Sequence, residues 1–381
     1  MIAFVLFWAQ FLVVGNILIM PVLLLGVRDE FSLNAYSMGL LLAAFPLMAF
    51  ISNMFVGQVI DRVGRPMSLQ LGLCTVAISY LLMFFAENDS TAIVSRGLTG
   101  LCMPLIGASL YAVIADVYAE KIRTRVTALV STASSLAGLT ILPVGIWFST
   151  PARWHYVFLV FAIVCIFLGV ISYFSYYRRY IPVQLGDADI RQGAARLYRN
   201  NEVLRNYALL YWFQGFAYFA LISWMPSYFQ RLLDEGQSST TLLVGGVGGV
   251  LGAWCLTILV GRRVGAFYTV LGINGIAVLS LPASALGLWA ASGTWFVYST
   301  CRQLLSAHIL SGANAHCGNS DRGALNATMS VGYQAVGAVA AFVVAQLSFL
   351  PHSVSIICII ATLMLLPSFY FYRNLSRSNA L

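Results

Sequence analysis

The sequence predicts an all-α integral membrane protein with twelve transmembrane helices in two pseudo-symmetric six-helix bundles. Three observations carry that expectation. Sixty per cent of the 381 residues are apolar and only 9% are charged, against roughly 45–50% and about 25% in a soluble domain. The apolar residues gather in runs of about 20, the length that crosses a bilayer as a helix. The positive charge falls in alternate loops between those runs. Soluble enzyme, nucleic-acid binder and disordered regulator are excluded together. The net charge of +8 is no sign of nucleic acid, because that needs a basic surface patch, and here the charge lies in short loops.

Taken in order, the spans run over 3–26, 37–60, 67–86, 91–115, 124–148 and 154–176, then 207–229, 241–260, 266–291, 294–317, 323–349 and 351–372. The first is too long for a signal-peptide core and has no basic flank or cleavage site, so it reads as a retained helix. It has no cytoplasmic tail before it, which leaves room for a start codon upstream of Met1. Only Ser292 and Gly293 separate spans nine and ten, so an eleven-span count stays open there. Pro351 marks the last turn. The polar stretch 177–206 divides the chain into a bundle at 1–176, a cytoplasmic linker and a bundle at 207–381. The linker carries Pro182, Gly186 and a basic stretch from Arg191 to Arg205, and reads as a connector.

Charge placement tests the topology. With the N-terminus inside, the cytoplasmic loops and tail hold sixteen of the 21 basic residues. The outer loops hold only Arg28, Arg153 and Arg231. Such a bias orients the chain by the positive-inside rule, with both termini cytoplasmic. All seven cysteines lie within spans, so no disulfide framework is expected and they read as small packing residues.

The two halves echo each other. Asp61-Arg62-Val63-Gly64-Arg65 after span two corresponds to Arg262-Arg263-Val264-Gly265-Ala266 after span eight, at an offset of 201. Arg125 and Arg322 correspond at an offset of 197. Two such halves with a linker form a transporter layout, with the solute site expected between them.

Gly57-x-x-x-Asp61-Arg62-x-Gly64-Arg65 also resembles the signature loop between helices two and three of the major facilitator superfamily. Pro66 stands where a second basic residue is usual. The residues have a physical reading of their own: Gly57 permits close helix approach and Gly64 a tight turn, while Asp61 and Arg65 sit at the membrane surface, where an ion pair is only partly hydrated. The resemblance implies a latch that holds the halves together when the outer side is open. An acidic residue ending helix four joins that latch, a place that Asp116 fits, with Arg125 opening helix five. As simple solvated loop charges these residues would only serve topology, and Asp61 and Asp116 are not needed for that. Two further patterns are partial. Arg96-Gly97-Leu98-Thr99-Gly100 resembles the helix-four motif. Gly138 to Pro143 with Gly145 resembles the helix-five signature of exchangers, but Leu142 replaces its glycine.

The glycine run from Gly245 to Gly252 is no dinucleotide loop, since no strand precedes it and no acid follows at the right distance. Gly245 with Gly249, and Gly248 with Gly252, are expected to form small faces for helix contact.

All thirteen acidic residues fall in loops or at span ends. A proton relay, with protons as the coupling ion, would therefore use a histidine, Asp116 or the solute itself. The charge inside the bilayer is positive. Arg96 lies in span four, about 8 Å from its end, and Arg302 in span ten, roughly 12 Å in. The resemblance places these two counterpart helices on the central cavity. A buried arginine faces the interior and has a partner, here a backbone carbonyl or an anionic solute; for Arg96, snorkelling to the outer surface is the alternative. His308 joins the candidate cavity, as do Gln10, Asn16 and Gln214. His308 and His316, eight apart, make no metal site. No His-Glu-x-x-His or Ser-His-Asp arrangement occurs, so no enzyme, catalytic residue or cofactor is expected. The sequence thus reads as a secondary transporter in a bacterial-style inner membrane, working by alternating access. Export of a small organic compound is the leading direction, and import of a small organic anion the alternative.

Overall fold

Three of the described helices begin where an asparagine side chain satisfies an orphan backbone N–H. The computed structural model describes residues 2–118, 120–176, 201–259, 265–317 and 322–377. In chain order the helices are α1 (Ile2–Phe31), α2 (Ala35–Asn53), α3 (Val56–Val63), α4 (Arg65–Phe84), α5 (Asp89–Val117), α6 (Glu120–Phe148) and α7 (Trp154–Tyr176). They continue as α8 (Glu202–Leu232), α9 (Glu235–Leu259), α10 (Gly265–Ser280), α11 (Leu288–Ala315), α12 (Arg322–Leu347) and α13 (Ser353–Arg377). Asn34 caps α2 and Asn88 caps α5, each accepting a backbone N–H three residues on at 2.9 Å. Asn201 caps α8 through Leu204 N at 3.2 Å. Such caps satisfy donors that the helix itself cannot.

The chain divides into two units, Met1–Asp187 and Ala188–Leu381. In the first, α1 packs on α5, α6 and α7, α2 packs on α5, and α4 packs on α5 and α7. In the second, α8 packs on α11, α12 and α13, α9 packs on α11, and α10 packs on α11 and α13. The six pairings are the same when each helix is exchanged for its counterpart. The repeat that was faint in the loops is therefore explicit in the packing.

Among the described residues, eleven helices are long and apolar enough to cross a membrane. The remaining long helix, α11, has 28 residues but an apolar run interrupted by Arg302, Gln303 and His308. Three predicted boundaries move. The span expected over 37–60 stops at Asn53, where Met54 and Phe55 turn back onto Ile51 O and Ser52 O at 3.2 and 2.9 Å. The amphipathic α3 follows as a separate element. The expected junction at Ser292 and Gly293 is helix interior. The chain instead breaks at Ser280, passes through a 3-10 turn over Leu281–Leu286 and restarts after Gly287 at φ +115°. Pro282 cannot continue the hydrogen-bond ladder, and Gly287 takes a backbone conformation that L side chains avoid. Finally, the second bundle begins at Glu202 rather than 207. Residues 177–200 of the expected linker lie outside the described residues, as do Arg262, Arg263 and Val264 of the repeat.

Glycine contacts set the closest helix approaches. A Cβ on Gly100 would lie 2.2 Å from Phe45 O, and one on Gly252 2.2 Å from Thr300 O. These contacts seat α5 on α2 and α9 on α11. The expected pairing of Gly245 with Gly249 is corrected: Gly245, Gly248 and Gly252 face Trp295, Phe296 and Thr300, whereas nothing lies within 4 Å of a Cβ on Gly249. The stripe follows a spacing of three and then four, which keeps one face of the helix toward its neighbour.

Candidate functional site

In the first unit the site forms around Arg96. This side chain is 3% exposed. It donates from Nη1 to Asn16 Oδ1 at 2.8 Å and from Nη2 to Asn16 O at 3.5 Å. The Tyr80 hydroxyl donates to the same Asn16 Oδ1 at 3.2 Å, and the guanidinium carbon lies 5.1 Å from the centre of the Phe45 ring. The snorkelling alternative for Arg96 is therefore corrected, because α1, α2 and α4 enclose the guanidinium. Arg96 Nε and Asn16 Nδ2 are buried with no acceptor among the described residues.

The helix-four motif distributes its residues to different neighbours. Arg96 reaches α1, and Gly100 admits the backbone of α2. Thr99 pairs its hydroxyl with Ser79 of α4, where Ser79 and Ser95 also exchange hydroxyl-to-carbonyl bonds at 3.1 and 2.7 Å. The spacing of three and four that looks like a signature is thus also a packing device.

In the second unit the site forms around Arg302 of α11. Its guanidinium carbon sits 4.1 Å from the centre of the Tyr218 ring on α8, and its Nη2 donates to Gln303 Oε1. Tyr211, Tyr298 and Tyr333 are also within electrostatic reach. Tyr211 and Tyr333 stack at 4.7 Å with an interplanar angle of 24°, and Tyr218 and Tyr333 at 6.4 Å and 23°. Gly215 permits this: its Cβ would stand 2.5 Å from the Tyr333 ring. Among the described residues Arg302 has no carboxylate partner.

The tyrosines were not singled out from the sequence. Tyr211 and Tyr218 stand seven apart on α8, and Tyr298 stands four before Arg302 on α11. Those spacings place each pair on one helix face. Tyr333 belongs to α12, and nothing local to it signals the association.

The remaining candidates scatter. Gln10 donates to Ser134 Oγ at 2.9 Å, tying α1 to α6, and Gln214 donates to Ser368 Oγ at 3.5 Å, tying α8 to α13. Each ties the first helix of its unit to a later one, but the partner helices, α6 and α13, are not counterparts. His308 stacks between Phe267 at 3.4 Å and Tyr372 at 6.0 Å, against the apolar core of the second unit. It is therefore placed with core rings and not with the Arg302 tyrosines.

Of the signature loop, Gly64 has φ +89° and joins α3 to α4. Gly64 N donates to Ile60 O at 2.8 Å. Pro66 lies in the first turn of α4, where its missing N–H has no helical acceptor to lose. Arg65 Nη1 donates to Ala112 O at 3.4 Å, so it reaches the last turns of α5, one turn before Asp116. Gly57 and Arg62 lie on α3, with Arg62 exposed, and Arg125 is exposed on α6. The side chains of Asp61 and Asp116 lie outside the described residues.

The arrangement supplies hydrogen-bond donors and positive charge inside each unit, with no group of His, Cys, Asp and Glu among the described residues that could hold a metal. Residues 2–341 match the Major Facilitator Superfamily. Across 134 residues the chain is 32% identical to a probable vesicular acetylcholine transporter of Danio rerio, covering 35% of this chain and 26% of that protein. Across 115 residues it is 31% identical to a quinolone resistance protein of Staphylococcus aureus, covering 30% and 29%. The chain thus spans only about a quarter of the length of these curated relatives. In fold it is similar to a bacterial homologue of the human lysosomal transporter Spinster in an inward-facing, unoccupied conformation. That structure has a TM-score of 0.79 and 13% identity, over 99% of this chain and 96% of that one. With the six-helix pairing repeated in each unit and the match extending over nearly the whole sequence, the chain belongs to the Major Facilitator Superfamily.

Proposed function

We propose that the protein is a secondary active transporter that moves a small organic solute by alternating access, with export the favoured direction. The observation that carries this reading is an arginine inside each unit, Arg96 and Arg302, with no carboxylate partner among the described residues. A charge within membrane-spanning helices is costly and is kept where it has work to do. A solute bearing an acceptor group supplies the missing partner. In this reading residues 1–176 rock against 207–381. The loop from Gly57 to Arg65, with Asp116 and Arg125, biases which side is open. Export is supported by the match to a quinolone resistance protein. The chain lies in a bacterial-style inner membrane with both termini cytoplasmic, as its loop charges direct, and protons serve as the coupling ion.

Uptake of a small organic anion is the second reading, and the partly buried Arg302 guanidinium, with no carboxylate partner among the described residues, favours it. Membrane vesicles of both orientations decide between them, with norfloxacin and benzoate as probes under an imposed pH gradient. Export predicts norfloxacin accumulation in inverted vesicles, and uptake predicts benzoate accumulation in right-side-out vesicles. No gradient-dependent movement of either probe in either orientation would overturn the transporter reading.

A further inference from the structure

The Arg302 cluster has a shape as well as a charge. Arg302 over Tyr218, Tyr218 on Tyr333 and Tyr333 on Tyr211 form a continuous ladder of planar groups. Arg302, Tyr211, Tyr218 and Tyr333 are each only partly buried, so each keeps a reachable surface. Tyr298, four residues before Arg302 on α11, is 2% exposed, and its hydroxyl has no partner among the described residues. A buried hydroxyl without a partner carries a desolvation penalty that a bound acceptor removes. One side of the guanidinium is engaged by Gln303, which leaves further N–H groups of its planar fork free to grip an oxyanion.

We propose that this ladder is the recognition site for a planar aromatic carboxylate. The inference rests on the transporter reading above and names the solute class for it. A guanidinium grips a carboxylate edge-on through parallel N–H···O bonds, which places the two groups in one plane. In an aromatic acid the ring is conjugated with its carboxylate and lies near that same plane. The ring is thereby held in the plane of a guanidinium that sits over the Tyr218 face, where contact with the aromatic ladder adds to binding. An aliphatic acid of equal charge meets the guanidinium but has no π face to stack. A neutral aromatic amide stacks but leaves the positive charge without a counter-charge. The Tyr298 hydroxyl, one helical turn from Arg302, supplies a donor to the carboxylate.

The test is calorimetric titration of the full chain in lipid nanodiscs with 2-naphthoate, cyclohexanecarboxylate and 2-naphthamide. Naphthoate should bind about tenfold or more tighter than either of the others, a difference of about 1.4 kcal/mol. The comparison is made within the parent protein, so it does not depend on a variant folding. Tyr218→Leu should remove the advantage over cyclohexanecarboxylate, Tyr218→Phe should keep it, and Arg302→Ala should remove the advantage over the amide. Equal binding of naphthoate and cyclohexanecarboxylate, absence of naphthoate binding, or an unchanged preference in folded Tyr218→Leu would overturn the proposal. The transporter reading fails separately, by loss of gradient-driven movement of norfloxacin and benzoate in vesicles. Movement of either probe without any preference for naphthoate overturns the aromatic-acid site alone.

Discussion

Arg96 of α5 and Asn16 of α1 are joined by a 2.8 Å hydrogen bond between a buried guanidinium and a side-chain carbonyl. The bond links helices 80 residues apart, and Asn16 is the one polar side chain of α1 that receives both Arg96 and Tyr80. Asn16→Leu should therefore cost about 1.5–3 kcal/mol, the range for a hydrogen bond to a charged group. Asn16→Asp keeps an acceptor in the same place and adds a counter-charge, so it should be the more stable of the two. Thermal unfolding in one detergent compares them, and a leucine variant at parent stability would remove Asn16 from this role.

The α9 stripe gives a contrast within one helix. Gly252→Ala would drive a methyl group into Thr300 O, and overpacking of this kind costs about 1–3 kcal/mol. Gly249→Ala meets open space and should be neutral, or stabilising by up to about 1 kcal/mol through helix propensity. If the two variants unfold at the same temperature, the close contact between α9 and α11 is misplaced.

Gly215 and Tyr333 offer a handle on the ladder that touches no charge. Gly215→Ala should push the Tyr333 ring from its place, because the new methyl would stand 2.5 Å from it. The expected result is weaker naphthoate binding with helical content unchanged by circular dichroism. Full binding by this variant would show that Tyr333 does not shape the site.

The charge of Arg302 is tested by two substitutions. Removing one partner of a desolvated charge pair costs about 2–5 kcal/mol, so Arg302→Ala should weaken naphthoate binding at least about tenfold. Arg302→Lys should recover only part of it, since a point charge lacks the planar fork. Unchanged affinity in Arg302→Ala would return this arginine to a structural role.

The signature loop should act on transport rather than on folding. Asp61→Asn and Arg65→Ala are expected to lower vesicle transport while leaving membrane levels near those of the parent. Arg65→Ala combined with Asp116→Asn should lose less than the sum of the two, as residues of one network do. Gly64→Ala should be harmful for a different reason, because its φ of +89° strains any L side chain. Parent-like transport by Asp61→Asn would remove the latch function from this loop.

Much of the architecture could be read along the chain, because crossing a bilayer is a local requirement. A run such as 154–176 needs only length and apolar composition, and no partner has to be known. The boundaries that moved are those where two signals of similar strength compete. Ser292 and Gly293 resemble a break, yet Pro282 and Gly287 make the one that forms, since only they alter the backbone's hydrogen bonding and allowed φ. For the candidate site, Arg96 and Arg302 were legible because an arginine in an apolar run is conspicuous. Their partners were not: Asn16 stood out as a polar residue in an apolar run but not as the partner of Arg96, and Tyr80, Tyr211 and Tyr333 are ordinary aromatic residues within their own helices.

The sequence by itself determined that this chain is helical, built to span a membrane and doubled, and that its membrane-embedded charge is positive. Those properties follow from composition, run length and spacing, which act over one or two turns. Only the tertiary structure decided that Arg96 is enclosed by α1, α2 and α4, that His308 sits among core rings, and that Tyr211, Tyr218 and Tyr333 form a ladder beside Arg302. A side chain's partners depend on which helix faces meet, and glycine contacts such as Gly100 on Phe45 and Gly215 on Tyr333 control how close they come. That information belongs to pairs of distant segments and cannot be present in either one alone.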